Sequence, residues 1–217
     1  MMTISEETLT EDLTFEGVTM VRTDFHYPVV SGGGGKADRR INSYYRHMAK
    51  TLMKKAKSDL LPDAVAEWRY ATENGYPFRE FESVMKFTVT YNENDLLSLY
   101  FDVYDFTGGA HGATRRFGDT WRTETGWFIM LSDFFPRGTN YKRLLIDNAI
   151  VIATQQTRAG THHYFENYPK LIKKYFSPAK FYIEPGNIVI FYDQYAIAPY
   201  YEGIPVFQYP ADIKTHP

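Results

Sequence analysis

The stretch LLSLYFDVYDF (residues 96–106) gives the strongest indication of the fold. Its apolar side chains occupy both faces of an extended chain, which is typical of a central strand. The turn-forming sequence TGGAHG (residues 107–112) follows, and residues 113–123 again read as a strand. Residues 80–91 alternate between apolar and polar side chains and end at a second turn, residues 92–95. Strands that follow one another through short turns predict an antiparallel meander.

Helical and further strand patterns lie on both sides of this meander. Ile41, Tyr45, Met48 and Leu52 have the spacing of one apolar helix face, and we expect Pro62 to end that helix. The remaining predicted elements are strands at 13–22, 127–131 and 206–209, helices at 139–158 and 164–176, and a hairpin that turns at residues 185–187. The predicted fold class is α+β, an antiparallel meander sheet with two or three helices packed on it.

Composition excludes several classes of protein. The 217 residues are 44% apolar and 23% charged, which is a globular mixture and excludes a disordered or coiled-coil chain. Aromatic residues reach 17%, which favours sheet. The chain has no cysteine, so disulfides and thiol chemistry are excluded. The net charge of −2 does not indicate a general polyanion binder, and nucleic acid is not an expected partner.

No segment has the pattern of a targeting or membrane sequence. A secretory signal needs a basic start and an apolar run of 7–15 residues, and a membrane helix needs about 18 apolar residues. Neither pattern occurs, so as written the chain is expected to stay in the cytoplasm.

A basic segment runs from Lys36 to Lys57. It contains eight Lys or Arg residues against one acid, Asp38, on a predicted amphipathic helix. Such a helix can bind an anionic polymer. Alternatively, it is a solvated outer face that the acidic N-terminus balances.

Catalytic and metal-binding patterns are weak. His111 lies between glycines in a turn, where it could act as a general base with Asp102 or Asp105 as its partner. It could equally be a residue that tolerates an unusual turn conformation. A strand places positions 102 and 105 on opposite faces, so only a bulge would bring those two carboxylates together. His162 and His163 show no metal-ligand spacing, and we expect no metal or other cofactor.

A tyrosine-rich segment, residues 192–203, contains Pro199, Tyr200 and Tyr201. Tyrosine is enriched at interfaces because its ring buries area while its hydroxyl finds hydrogen-bond partners. A binding loop and a packed corner are both consistent with this pattern.

These motifs together resemble a known family. They are FTGGAHG (106–112), Thr125-Gly126, LSDFF (131–135) and the region from Phe181 through APYYEGIP (198–205). The combination resembles the RsiV-like C-terminal domain family of uncharacterised function, found in lysozyme-sensing anti-sigma factors. The upstream part, from Tyr27-Pro28 through Ile41-Asn42, resembles the small domain also found before peptidoglycan deacetylase domains.

The resemblance implies an α+β fold and a noncatalytic binding module that recognises lysozyme or another cell-envelope protein or polymer. Relatives of this kind work outside the cytoplasm. Deacetylase activity is not implied, because the chain has no His-x-x-x-His motif. The expected binding residues are Gly108, Gly109, His111, Gly112, Pro199, Tyr200 and Tyr201. The alternative is a hydrolase acting on cell-wall polysaccharide or peptide, with His111 as general base.

The expected organisation has three parts. Residues 1–19 are an acidic lead-in, and residues 20–110 form an N-terminal subdomain with a strand, the basic helix and the first meander strands. Residues 111–217 form the RsiV-like subdomain. We expect the two subdomains to pack as one unit.

Overall fold

The computed structural model describes residues 1–213. The strands are β1 (Thr3–Phe15), β2 (Val18–Ser31), β3 (Phe81–Glu93), β4 (Leu96–Phe106), β5 (Ala113–Arg122), β6 (Trp127–Phe128), β7 (Phe181–Glu184), β8 (Asn187–Phe191) and β9 (Val206–Pro210). The helices are α1 (Gly35–Lys55), α2 (Leu61–Asn74), α3 (Tyr141–Ala159) and α4 (Tyr168–Tyr175).

Two sheets organise these strands. The first has the order β1-β2-β3-β4-β5-β6, and the second has the order β7-β8-β9. The predicted α+β class, with a mostly antiparallel sheet and packed helices, is confirmed. One pair departs from the meander, because β2 and β3 are parallel from Val21–Phe81 to Phe25–Met85. The helical connection through α1 and α2 allows the chain to return in the same direction.

The chain divides into two compact units that share the long strands. We call Met2–Phe87 with Phe101–Thr114 the N-terminal unit, and Thr88–Tyr100 with Arg115–Pro217 the C-terminal unit, to which Met1 is also assigned. Each unit has its own core.

In the N-terminal unit, α1 buries Ile41, Tyr45 and Ala49. The ring of Tyr45 meets the ring of Phe101 edge-on, with centroids 6.4 Å apart. A neighbouring cluster of buried residues contains Met20, Val21, Ala64 and Phe81. The apolar face of α1 and Ala64 of α2 are therefore buried in the core, as expected for amphipathic helices.

The acidic N-terminal segment forms strand β1. The expected single strand at residues 13–22 is wrong, because Glu16 and Gly17 have φ of 50° and 79° and turn the chain. Residues 3–15 pair with β2 in antiparallel register. Its carboxylates contact the basic segment, with Glu7 3.7 Å from Arg46 and Glu11 2.7 Å from Lys57.

Pro62 does not end the helical segment, which corrects the sequence interpretation. A π-helical turn over Ala56–Leu60 follows α1, and α2 begins at Leu61. Pro62 therefore occupies the first turn of α2, where its missing N–H costs nothing.

In the C-terminal unit, α3 and the small sheet share one core. Leu145, Ala149 and Ala153 pack with Ile183 and Ile190 in this cluster. Ser98 of β4 is fully buried, and its Oγ accepts a hydrogen bond from the backbone N–H of Ile183 at 3.0 Å. The predicted hairpin at residues 185–187 is confirmed as the β7–β8 pair.

The predicted strand at residues 127–131 is shorter than expected. β6 contains only Trp127 and Phe128, and a 3₁₀ turn begins at Leu131. The carboxylate of Asp133 accepts a hydrogen bond from the N–H of Met130 and so starts that turn.

Candidate functional site

The glycine–histidine loop, residues 107–112, belongs to the N-terminal unit and is held by packing. Gly112 is buried, and a Cβ there would lie 2.4 Å from the Tyr104 ring and 2.6 Å from the Asp105 carbonyl oxygen. Arg79 donates a hydrogen bond to the Gly109 carbonyl at 3.0 Å. Its guanidinium also lies 4.6 Å from the centroid of the Phe106 ring. Close approach of the chain to itself therefore explains Gly112, while a ligand role for this loop stays a prediction.

His111 is exposed in this loop. Its Nδ1 lies 3.2 Å from the carbonyl oxygen of Gly112. One oxygen of Asp105 accepts a hydrogen bond from the Ser83 hydroxyl at 2.6 Å. The role of His111 as a general base, with Asp102 or Asp105, stays a prediction.

The second predicted loop lies in the C-terminal unit, and we call Pro199–Gly203 the tyrosine turn. Its centre is a 3₁₀ turn over Tyr200–Glu202. Gly203 ends this turn with a φ of 68°. Tyr201 is 70% exposed. Tyr195, 52% exposed, places its ring centroid 5.5 Å from that of Tyr200. The turn thus presents the Tyr201 ring to solvent, with the half-buried Tyr200 ring next to the exposed Tyr195.

A largely shielded carboxylate within the tyrosine turn is held by two histidines. The side chain of Glu202 is only 11% exposed. One of its oxygens lies 2.8 Å from Nδ1 of His162, and the other accepts the backbone N–H of His163 at 2.8 Å. Nδ1 of His163 lies 3.2 Å from that second oxygen. We call these three residues the histidine–glutamate clamp.

The clamp has a defined charge state. Partial burial alone would raise the pKa of the Glu202 carboxyl, but hydrogen bonds from His162 and His163 outweigh it and hold the pKa below its ordinary value. Glu202 therefore stays ionised at neutral pH and accepts hydrogen bonds on both oxygens.

Sequence reasoning did not find this clamp. The sequence pattern of His162 and His163 indicates only that they lack metal-ligand spacing. They lie in the irregular segment between α3 and α4, where both rings can turn toward one carboxylate. The partner is 40 residues from His162 in the sequence, and no local pattern joins them.

A small cavity lies beside the clamp. Its volume is about 110 Å³, and its lining residues are Gln156, His162, Tyr164, Glu202, Ile204, Pro205 and Val206. The Tyr164 hydroxyl donates to Oε1 of Gln156 at 2.7 Å. Burial, with a smaller contribution from the charge of Glu202, raises the pKa of Tyr164 to about 12. A space of this size holds about three water molecules, so these polar groups support the turn more readily than they would enclose a substrate.

The two predicted loops are distributed over the two units. Gly108, Gly109, His111 and Gly112 lie in the N-terminal unit, and the tyrosine turn lies in the C-terminal unit. Within residues 1–213, no group of three or more His, Cys, Asp or Glu side chains is arranged to hold a metal ion. None of the helices in that range combines the length and apolar character needed to cross a membrane.

Comparison with known proteins identifies two matching segments and two solved structures of similar fold. Residues 18–114 match the family model described as deacetylase PdaC. Residues 132–212 match the model of a family of unknown function, DUF3298. The comparisons thus support a deacetylase-associated segment followed by a DUF3298 segment. The RsiV-like label stays a prediction.

Two solved structures show the same fold. A member of the DUF3298 family from Bacteroides fragilis NCTC 9343 aligns with a TM-score of 0.68 at 16% identity, covering 96% of this chain and 90% of that one. A DUF3298 family protein from Pseudomonas aeruginosa PAO1 aligns with a TM-score of 0.60 at 17% identity, covering 96% and 91%. No curated protein matches the chain.

Proposed function

We propose that this protein is a noncatalytic binding module that recognises a cell-envelope protein or polymer through the tyrosine turn. Lysozyme is the partner that the RsiV-like resemblance implies. The observation that carries the proposal is the exposed ring of Tyr201, beside the exposed ring of Tyr195, on a turn that an ionised, largely shielded glutamate holds in place.

The rigidity of the turn supports a binding role. The N–H groups of Glu202 and Gly203 donate to the carbonyls of Pro199 and Tyr200 at 3.1 and 2.9 Å. The clamp then holds the side chain of Glu202 in place. A surface that is ordered before binding loses less conformational entropy when a partner docks.

The chemistry of the exposed groups also supports it. Tyr195 and Tyr201 are exposed, and the half-buried Tyr200 lies against Tyr195. Tyrosine combines a flat apolar ring with a hydroxyl group, which suits it to bury area against a protein while forming hydrogen bonds at the rim. The ring of His163 meets that of Tyr201 edge-on with centroids 6.0 Å apart, so the clamp also orients the most exposed tyrosine.

A calorimetric titration with a basic animal-type lysozyme, at two salt concentrations, tests this proposal. We expect saturable 1:1 binding. The double variant Tyr200→Ala/Tyr201→Ala should lose more than about 2 kcal/mol of binding free energy, which is about 30-fold in Kd.

The matched control is Tyr70→Ala/Tyr76→Ala, because those tyrosines are 57% and 61% exposed and lie in the N-terminal unit. The control should bind as the wild type does. If the titration shows no heat of binding at high micromolar concentration, lysozyme is not the partner. If the two double variants bind with equal affinity, the tyrosine turn is not the site.

A further inference from the structure

A row of basic side chains follows the outer face of α1. Lys36, Arg40, His47, Lys50 and Lys54 are all exposed, and we call them the cationic stripe. At 100° per residue they fall within about 80° of the helix circumference. From Lys36 to Lys54 the stripe is about 27 Å long, at 1.5 Å per residue.

Packing of the opposite helix face fixes the direction of the stripe. Ala37, Ile41, Tyr45, Ala49 and Met53 are the buried residues of α1. They lie about half a turn away from the stripe, so α1 cannot rotate its basic residues inward without exposing this apolar face.

Two carboxylates of β1 contact basic residues on the flank of the helix. Glu7 and Glu11 of β1 contact Arg46 and Lys57, which lie to one side. The carboxylate of Asp38 accepts the N–H groups of Gly32 and Gly33 at 3.2 and 3.0 Å. Across residues 1–213, Lys36, Lys50 and Lys54 form no ion pair. Their charges therefore act on the solvent side of α1.

We propose that the cationic stripe binds an extended linear polyanion bearing phosphate or sulfate groups. The stripe is long and narrow, which fits a polymer chain lying along the helix. Lysine suits this task because its ammonium group contacts phosphate as a point charge without demanding one orientation. This activity is separate from the proposed role of the tyrosine turn.

A membrane surface fits the stripe less well. A helix that lies in a lipid interface buries an apolar face beside its basic one. Of the large apolar side chains exposed within residues 1–213, none lies on α1. Its apolar residues are already committed to the core of the N-terminal unit.

The test measures binding of the full chain to long-chain inorganic polyphosphate at 50 and 200 mM NaCl, with heparin as a second arm. Three neutralised lysine charges predict that affinity falls about 20-fold over this salt range. The variant Lys36→Gln/Lys50→Gln/Lys54→Gln should bind more than tenfold more weakly at 50 mM NaCl. The slope of log affinity against log salt should become shallower by about two. Glutamine has nearly the same helix propensity as lysine, and circular dichroism should show an unchanged helix content.

The matched control is Lys142→Gln/Lys170→Gln/Lys173→Gln, which removes the same charge from exposed positions of the C-terminal unit. Its affinity should stay within twofold of wild type. Tighter binding to polyphosphate than to heparin would identify phosphate as the preferred anionic group of the polymer. Tighter binding to heparin would identify sulfate. An equal loss in both triple variants, salt-insensitive binding, or binding only to anionic vesicles would overturn the proposal.

Discussion

Gly112 shows how a single residue in the glycine–histidine loop depends on its surroundings. The substitution Gly112→Ala places a methyl group 2.4 Å from the Tyr104 ring and 2.6 Å from a backbone oxygen. Backbone cannot move aside easily, so we expect a loss of about 1–3 kcal/mol in the free energy of unfolding, measured by urea denaturation. Gly109→Ala is the control, because a Cβ there meets nothing closer than 4.0 Å. Equal stability of the two variants would contradict the packing role of Gly112.

Glu202 provides a second test at the same scale. Because its pKa is lowered in the folded protein, the clamp contributes stability that is present above pH 4.5 and is lost as pH falls through the folded pKa. NMR titration should place the Glu202 carboxyl below 4.5, and the variant His162→Gln/His163→Gln should move its pKa upward. A Glu202 pKa at or above 4.5 in the wild type would contradict the clamp.

Ser98 joins two elements of the C-terminal unit. Its buried Oγ accepts the N–H of Ile183 in β7 and lies 2.9 Å from Oγ1 of Thr120 in β5. Ser98→Ala leaves the buried Ile183 N–H without this acceptor, so we expect a loss of about 1–3 kcal/mol in unfolding free energy. Exposed Ser132→Ala should change it by less than about 0.5 kcal/mol. A Ser98→Ala variant as stable as the control would show that another group accepts this N–H.

Elements could be predicted where a local pattern dominates. The spacing of Ile41 and Tyr45 gave α1, and the apolar faces of residues 96–106 gave β4 with the observed bounds. The parallel pairing of β2 with β3 could not be predicted, because strand direction depends on the path of the whole helical connection. The clamp could not be predicted either, because it depends on the three-dimensional path of the chain. It joins the irregular segment of His162 and His163 to a 3₁₀ turn 40 residues from His162.

At the scale of the whole molecule, the two family segments do not coincide with the two compact units. The C-terminal unit takes residues 88–100 from the segment that matches the deacetylase PdaC model. Those residues supply Tyr91 and Leu96 to the core that contains Leu145 and Ile183, and they carry Ser98. The DUF3298 segment alone therefore lacks part of its own core.

This difference predicts how fragments of the chain behave. Residues 132–217 expressed alone should show no cooperative thermal transition by circular dichroism, because they lack Tyr91, Leu96 and the Ser98 hydroxyl group. Residues 88–217 restore these groups and should unfold cooperatively. Full-length protein is the positive control. A cooperative transition of the 132–217 fragment would show that the DUF3298 segment folds without strands β3 to β6. A non-cooperative 88–217 fragment would show that the C-terminal unit also needs residues 2–87 to fold.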